Sequence, residues 1–185
     1  MSANLKEELD NLQKQFYEEN GKNTFFKSKQ KTECAKMICS KYSFTDLMAN
    51  TIYQIGLSNR VFIDYTIFKL FANADNYKEI IYYVFSLFRK VLESYDNYEV
   101  HINLDSFTVT AAERYKDIIK LYCDESAKNG THFIDTLTFM KLYNLPSVLE
   151  MITKIIKPVI NADAYSKMVL LSKEESRAGI SELMN

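Results

Sequence analysis

Three cysteines, two histidines and scattered carboxylates are the residues with which this 185-residue chain could do chemistry. Cys34 and Cys39 are too irregularly placed for a zinc ribbon, and His101 and His132 lie far from both in sequence. The thiols read as reduced, buried or half-buried small hydrophobes of a cytoplasmic protein, and no metal site is expected. A thiol–imidazole pair would need Cys123 or an N-terminal cysteine beside His101 or His132, and nothing local supports that. Asp64, Asp105 and Asp135 are carboxylates of the kind that ordinarily end strands. His101, Asn103 and Asp105 share one face of a predicted strand, where they would line a pocket or, the reading favoured here, meet solvent at a wet edge of the sheet. There is no GxGxxG, no phosphate-loop lysine motif and no GxSxG elbow. With only 4 glycines in the chain, a loop that wraps phosphate has no material. The expectation is a protein that is not an enzyme, with no catalytic residue and no cofactor.

One basic stretch stands out. Lys22, Lys27, Lys29, Lys31, Lys36 and Lys41 occur with a single acid, Glu33, among them. They read as a solvated connector or, if the protein visits membranes, as contacts to an anionic surface. In an extended segment Lys27, Lys29 and Lys31 would line one side, whereas a helix would spread them around its axis. The net charge of −1 supplies no field toward nucleic acid, and no nucleic-acid partner is expected.

The elements that must position these residues follow from periodicity. The chain is 47% hydrophobic, with 13 Tyr, 12 Phe and no Trp, so a core of aromatics with Ile and Leu is expected. Leu5, Leu9, Leu12 and Phe16 predict an amphipathic helix over 5–19. Its stripe is narrow, so it needs a partner surface, which makes a docking arm or a homodimer contact a candidate role. Residues 20–31 read as a polar loop, and 43–55 as a helix ended by Gly56. From residue 61 strands and helices alternate: strand 61–71, helix 77–94, strand 98–107, helix 110–125, strand 134–143, helix 147–160, strand 167–171 and a polar tail helix over 173–184. Capping boxes are predicted at Thr110/Glu113 and Ser147/Glu150. The β-α-β-α-β-α-β order implies an α/β fold. Its sheet would be mostly parallel, of four to five strands with helices on its faces, preceded by a helical N-terminal segment. The predicted units are 1–57 (helical segment with the Lys-rich connector), 58–172 (the α/β domain) and 173–185 (the tail). The polar N-terminus has neither a signal nor a transit pattern. The longest apolar run, residues 80–88, stops at Arg89-Lys90, short of the roughly 20 residues that span a bilayer.

Both prolines fall at predicted boundaries in the last third. Pro146 cannot donate to a sheet ladder and suits a helix's first turn, while Pro158 should kink or end the helix it sits in. The run Tyr143-Asn-Leu-Pro-Ser-Val-Leu-Glu-Met-Ile-Thr-Lys-Ile-Ile-Lys-Pro-Val-Ile, with Ala164-Tyr-Ser-Lys-Met-Val-Leu-Leu after it, resembles the carboxyl half of CRAL-TRIO (Sec14-like) lipid-binding domains. Asn144, Pro146, Lys157, Pro158 and Lys167 stand at the places of that family's Asn-x-Pro turn, Lys-Pro step and following strand. Val100-His-Ile-Asn-Leu-Asp-Ser-Phe is similar to its preceding strand. The family's Tyr-Pro-Glu segment has no counterpart, and the STAS-like fold, with a similar β-α order, is the competing resemblance.

The resemblance implies a lipid or other hydrophobic ligand held between the sheet and a mobile helix. On that reading Phe68, Leu70, Phe139, Leu142, Val148, Met151, Ile152 and Ile155 are the candidate pocket. Cytoplasmic location is expected, with peripheral contact to an anionic membrane as an accompanying role. The rival expectation is a structural or interaction protein that reuses the fold without a ligand. Frequent Asn, Lys, Ile and Tyr suit AT-rich coding, as in some protists and large DNA viruses, where a scaffold or virion-associated role would fit.

Overall fold

Five strands form one sheet whose spatial order is their order along the chain: β1 (Ile52–Gln54), β2 (Arg60–Asp64), β3 (Tyr98–Asn103), β4 (Leu137–Leu145) and β5 (Met168–Ser172). These come from a computed structural model that describes residues 2–23, 25–128 and 133–184. β1 is antiparallel to β2, and the other pairs are parallel. The α/β fold with a mostly parallel sheet is therefore as expected. Each parallel connection steps one strand in the same direction. Right-handed crossovers then put every crossover helix on the same face of the sheet.

Those helices are α4 (Tyr65–Phe71) and α5 (Tyr77–Leu92) after β2, α6 (Val109–Lys128) and α7 (Phe133–Thr136) after β3, and α8 (Leu149–Ile156) and α9 (Ala162–Ser166) after β4. A 3-10 turn at Lys157–Val159 joins the last two, with Pro158 in its first positions. The far face receives α10 (Lys173–Met184), which packs on β4 and β5. Ahead of the sheet come α1 (Ser2–Asn20), α2 (Lys27–Lys41) and α3 (Phe44–Thr51), all packed on α4. The apolar stripe of α1 is spent inside the chain, since Leu9 is fully buried and Leu5 and Phe16 lean on the same core.

Three local departures from the expected elements have clear causes. The predicted strand over 61–71 stops at Asp64, whose Oδ1 accepts from the Thr66 amide at 2.8 Å and the Thr66 hydroxyl at 2.7 Å. This N-cap starts α4, and a cap stabilises a helix by about 1 kcal/mol. The connector over 22–41 is largely helical: α2 buries Gln30, Cys34, Ala35 and Ile38. A boundary at 57/58 passes between the first two strands, because Ile52, Tyr53 and Gln54 pair with Ile63, Phe62 and Val61.

The caps differ as well. Thr108, not Thr110, accepts from the Ala111 amide, at 3.2 Å. No side chain caps α8, so the Ser147/Glu150 box does not form there.

Candidate functional site

Alternation along β2 to β5 sends Ile63, Val100, Ile102, Leu142, Met168 and Leu170 toward the crossover helices. Those helices answer with Ile80, Ile81, Val84 and Phe88 from α5, and Ile118, Ile119, Tyr122 and Cys123 from α6. Leu149, Ile152, Thr153 and Ile156 come from α8, and Ala164 and Tyr165 from α9. The two layers do not close completely. They leave an apolar cavity of about 320 Å³, with Lys157 among its lining residues. The Lys157 ammonium lies 5.3 Å from the centre of the Tyr165 ring.

The polar atoms on the wall are mostly tyrosine hydroxyls. Tyr98 donates to the Phe133 carbonyl at 2.9 Å and pairs with the Tyr122 hydroxyl. Tyr115 donates to the Lys69 carbonyl at 3.4 Å. Burial pushes Tyr65, Tyr98, Tyr115 and Tyr122 upward, so all four stay neutral. Burial also raises the Cys123 thiol, partly offset by a backbone hydrogen bond from Asn161. Such a wall can hold hydrocarbon. It offers no charge pair and no activated nucleophile.

Of the eight residues proposed for a pocket, Phe68, Leu142 and Ile152 reach this cavity. The others do not, for geometric reasons. Phe68 and Leu70 share a face only in a strand. In α4 they lie about 200° apart, and Leu70 is buried in the core. Phe139 sits at a bulge where the β3–β4 register shifts between Tyr98 and Val100. The bulge lets Leu137 and Met140 both face the cavity, while Phe139 packs edge-on against His101 at 5.8 Å on the other face. In α8 the inward stripe is Leu149, Ile152, Thr153 and Ile156, at i, i+3, i+4 and i+7. The helix begins only after Val148, and this phase leaves Val148 and Met151 exposed at 41% and 54%. Ile155 lies off the inward stripe, half-buried.

His101 is a correction. It is 2% exposed rather than at a wet edge. Its Nδ1 lies 2.9 Å from the Tyr143 hydroxyl and its Nε2 3.2 Å from Glu99. A carboxylate only accepts, so Nε2–H donates to Glu99 and Nδ1 accepts from Tyr143. Burial pushes the imidazole below its ordinary value, against the pull of Glu99 and with help from Lys141 and Arg60. Asn103 stays partly buried and Asp105 is exposed. His132 lies outside the described residues.

Two motif residues of the last third, Asn144 and Lys167, have clear structural work. Asn144 takes φ 58. Its side chain donates to Asn103 at 2.8 Å and its amide donates to the buried Ser176 hydroxyl at 2.7 Å. Lys167 donates to the carbonyls of Ile134 and Leu137, both at 2.6 Å. Cys34 is buried and its thiol is pushed up to about 11, which makes it inert.

The six lysines fall into two groups. Lys22, Lys27 and Lys31 converge on one cleft. Lys29 pairs with Glu33 at 3.9 Å, Lys36 with Asp75 at 2.6 Å, and Lys41 lies on the other side of α2 beside α1.

Fold and site together define an α/β protein with an apolar pocket between its parallel sheet and crossover helices. Among the described residues no group of side chains could hold a metal ion, and no helix is long and apolar enough to cross a membrane. The chain matches no protein-family model, and comparison with curated proteins gives no significant match.

Proposed function

We propose that this chain is a non-enzymatic module that binds a lipid or another hydrophobic ligand between sheet and helices, in the manner of the CRAL-TRIO domains its last third resembles. The observation that supports it is the cavity of about 320 Å³ with hydrocarbon walls. Its walls are hydrocarbon from both layers, so a hydrophobic ligand seated there would remove apolar surface from water. Since about 150 Å³ accommodates benzene, the space suits a chain of roughly 12 carbons rather than a two-tailed lipid. The entry route on this reading is α8, which has one buried residue, Ile152, and carries exposed Met151 on its outer side.

Native mass spectrometry of the purified protein, followed by solvent extraction, tests this. A co-purifying hydrophobic small molecule, or saturable uptake of dodecanoic acid that Leu142→Trp abolishes, is the expected result. Protein that carries nothing and takes up no dodecanoic acid would end the lipid reading and leave the ligand-free interaction protein.

A further inference from the structure

A second depression lies away from the apolar cavity, where α1 and α2 meet α4 and the start of α6. Its volume is about 370 Å³. Five of the side chains that line it are cations: Lys22, Lys27, Lys31, Lys69 and Arg114, with no carboxylate among the lining residues. Their convergence is a product of folding. Lys27 and Lys31 are one helical turn apart on α2 and so share a face. Lys69 comes from α4 and Arg114 from α6. No ion pair joins Lys22, Lys27, Lys31 or Arg114 to a carboxylate among the described residues, whereas Lys29, Lys36, Lys116 and Lys128 all have acidic partners.

Lys69 is the buttressed member. It donates to the Ser106 hydroxyl at 2.7 Å; desolvation and then Lys6 push its ammonium below the ordinary value, partly offset by Asp10, Asp105 and Asp64 outside the wall. Desolvation in the cleft, then the fields of Arg114, Lys69 and Lys27, push the Lys31 ammonium below its ordinary value. Gathering five cations on a wall that carries no carboxylate costs stability, and a multiply charged anion reduces that cost. The remaining lining is neutral, and Gln30 and Ser106 spend their hydrogen bonds on Gly21, Asn23, Asp105 and Lys69, so the cations are left to face a ligand. Lysine and arginine gathered around a concave surface are the chemistry of phosphate recognition.

We propose that this cleft binds a phosphorylated small-molecule headgroup carrying at least two phosphoryl groups. The concave shape separates it from a flat adsorbing patch, on which all six lysines of the stretch would contribute alike. Two sources share that chemistry, a soluble organic polyphosphate and the headgroup of a phosphorylated lipid. Phe25 and Phe26, 91% and 66% exposed between Lys22 and Lys27, give the lipid source a place to insert at the interface. Tyr65 lines both the cleft and the apolar cavity. The proposal does not depend on the cavity being filled.

Isothermal titration with inositol 1,4,5-trisphosphate tests it, beside sedimentation with phosphatidylcholine vesicles that contain phosphatidylinositol 4,5-bisphosphate. Binding of the soluble trisphosphate is expected, weakened about tenfold or more by Lys31→Ala and by Lys27→Ala, each removing a charge-assisted contact. Lys29→Ala and Lys36→Ala should leave it unchanged, and circular dichroism should show all four variants folded. Vesicle binding that the trisphosphate displaces assigns the lipid source. Trisphosphate binding without vesicle binding assigns the soluble one. No binding of either probe overturns the proposal, and so does binding that Lys29→Ala weakens as much as Lys31→Ala, which would mark a diffuse field rather than a site.

Discussion

The two faces of the sheet are built from alternate residues of the same strands, yet they are packed to different standards. Toward the crossover helices the side chains are almost purely hydrocarbon and leave a void. Toward α10 the buried cluster is small, Phe62, Tyr143 and Leu183, and it is tied by polar contacts among His101, Tyr143 and Glu99. There the backbone comes so close that a Cβ on Gly179 would stand 3.0 Å from the Tyr143 ring. The lesson is that a large, nonspecific apolar interface tolerates an imperfect fit and so can host a ligand. A small interface must be tight and hydrogen-bonded to hold at all.

The strongest attempt to break that contrast is Tyr143→Ala. It deletes a ring that is 2% exposed, the partner of His101 and the surface under Gly179. We expect a loss of about 3–5 kcal/mol in urea unfolding, in the range of aromatic-to-alanine changes in cores. Tolerance of this change would show that α10 is not part of the cooperative unit. Gly179→Ala comes next. Alanine favours the helix by about 1 kcal/mol, but the added methyl meets a ring held by its hydrogen bond. Overpacking costs about 1–3 kcal/mol, so the melting temperature should fall.

The matching enlargement on the other face is Leu142→Phe, which adds volume where space exists. It should change stability by less than about 1 kcal/mol while it reduces uptake of dodecanoic acid. Equal damage from Leu142→Phe and Gly179→Ala would erase the distinction between the faces.

The smallest effect is a pH dependence. The folded imidazole of His101 titrates below its ordinary value of 6.5. As pH falls through about 6.5 the unfolded chain takes up a proton that the folded chain resists, so the protein loses stability. Melting temperatures from pH 7.5 to 5.5 should fall, and His101→Gln should flatten that fall. An unchanged slope in the variant would place the titration elsewhere.

Much of the scaffold was legible in advance. Alternation and 3.6-residue stripes located β3, β5, α5, α6 and α10 to within a few residues, because local apolar periodicity and burial coincide there. The errors cluster where a side chain or a bulge overrides the period. Asp64 caps α4 in the middle of a β-branched and aromatic run that reads as a strand. The bulge near Phe139 inverts the alternation of β4, and α8 starts late enough to rotate Val148 and Met151 outward. Those same places decided which residues form the cavity, so only Phe68, Leu142 and Ile152 of the eight candidates reach it.

Composition and spacing alone determined the α/β class, the mostly parallel sheet and the apolar chemistry of the interior, since these follow from which residues recur at which period. The tertiary structure decided what the spacing could not express. Whether two layers of side chains close or leave a void depends on shapes that meet across some hundred residues of chain. Likewise the sequence shows six lysines in a row of twenty residues, but the winding of α2 puts Lys27 and Lys31 on one face, and folding brings Lys22, Lys69 and Arg114 to the same cleft. Charge can be counted along a chain, whereas the field at a point depends on distances that only folding sets.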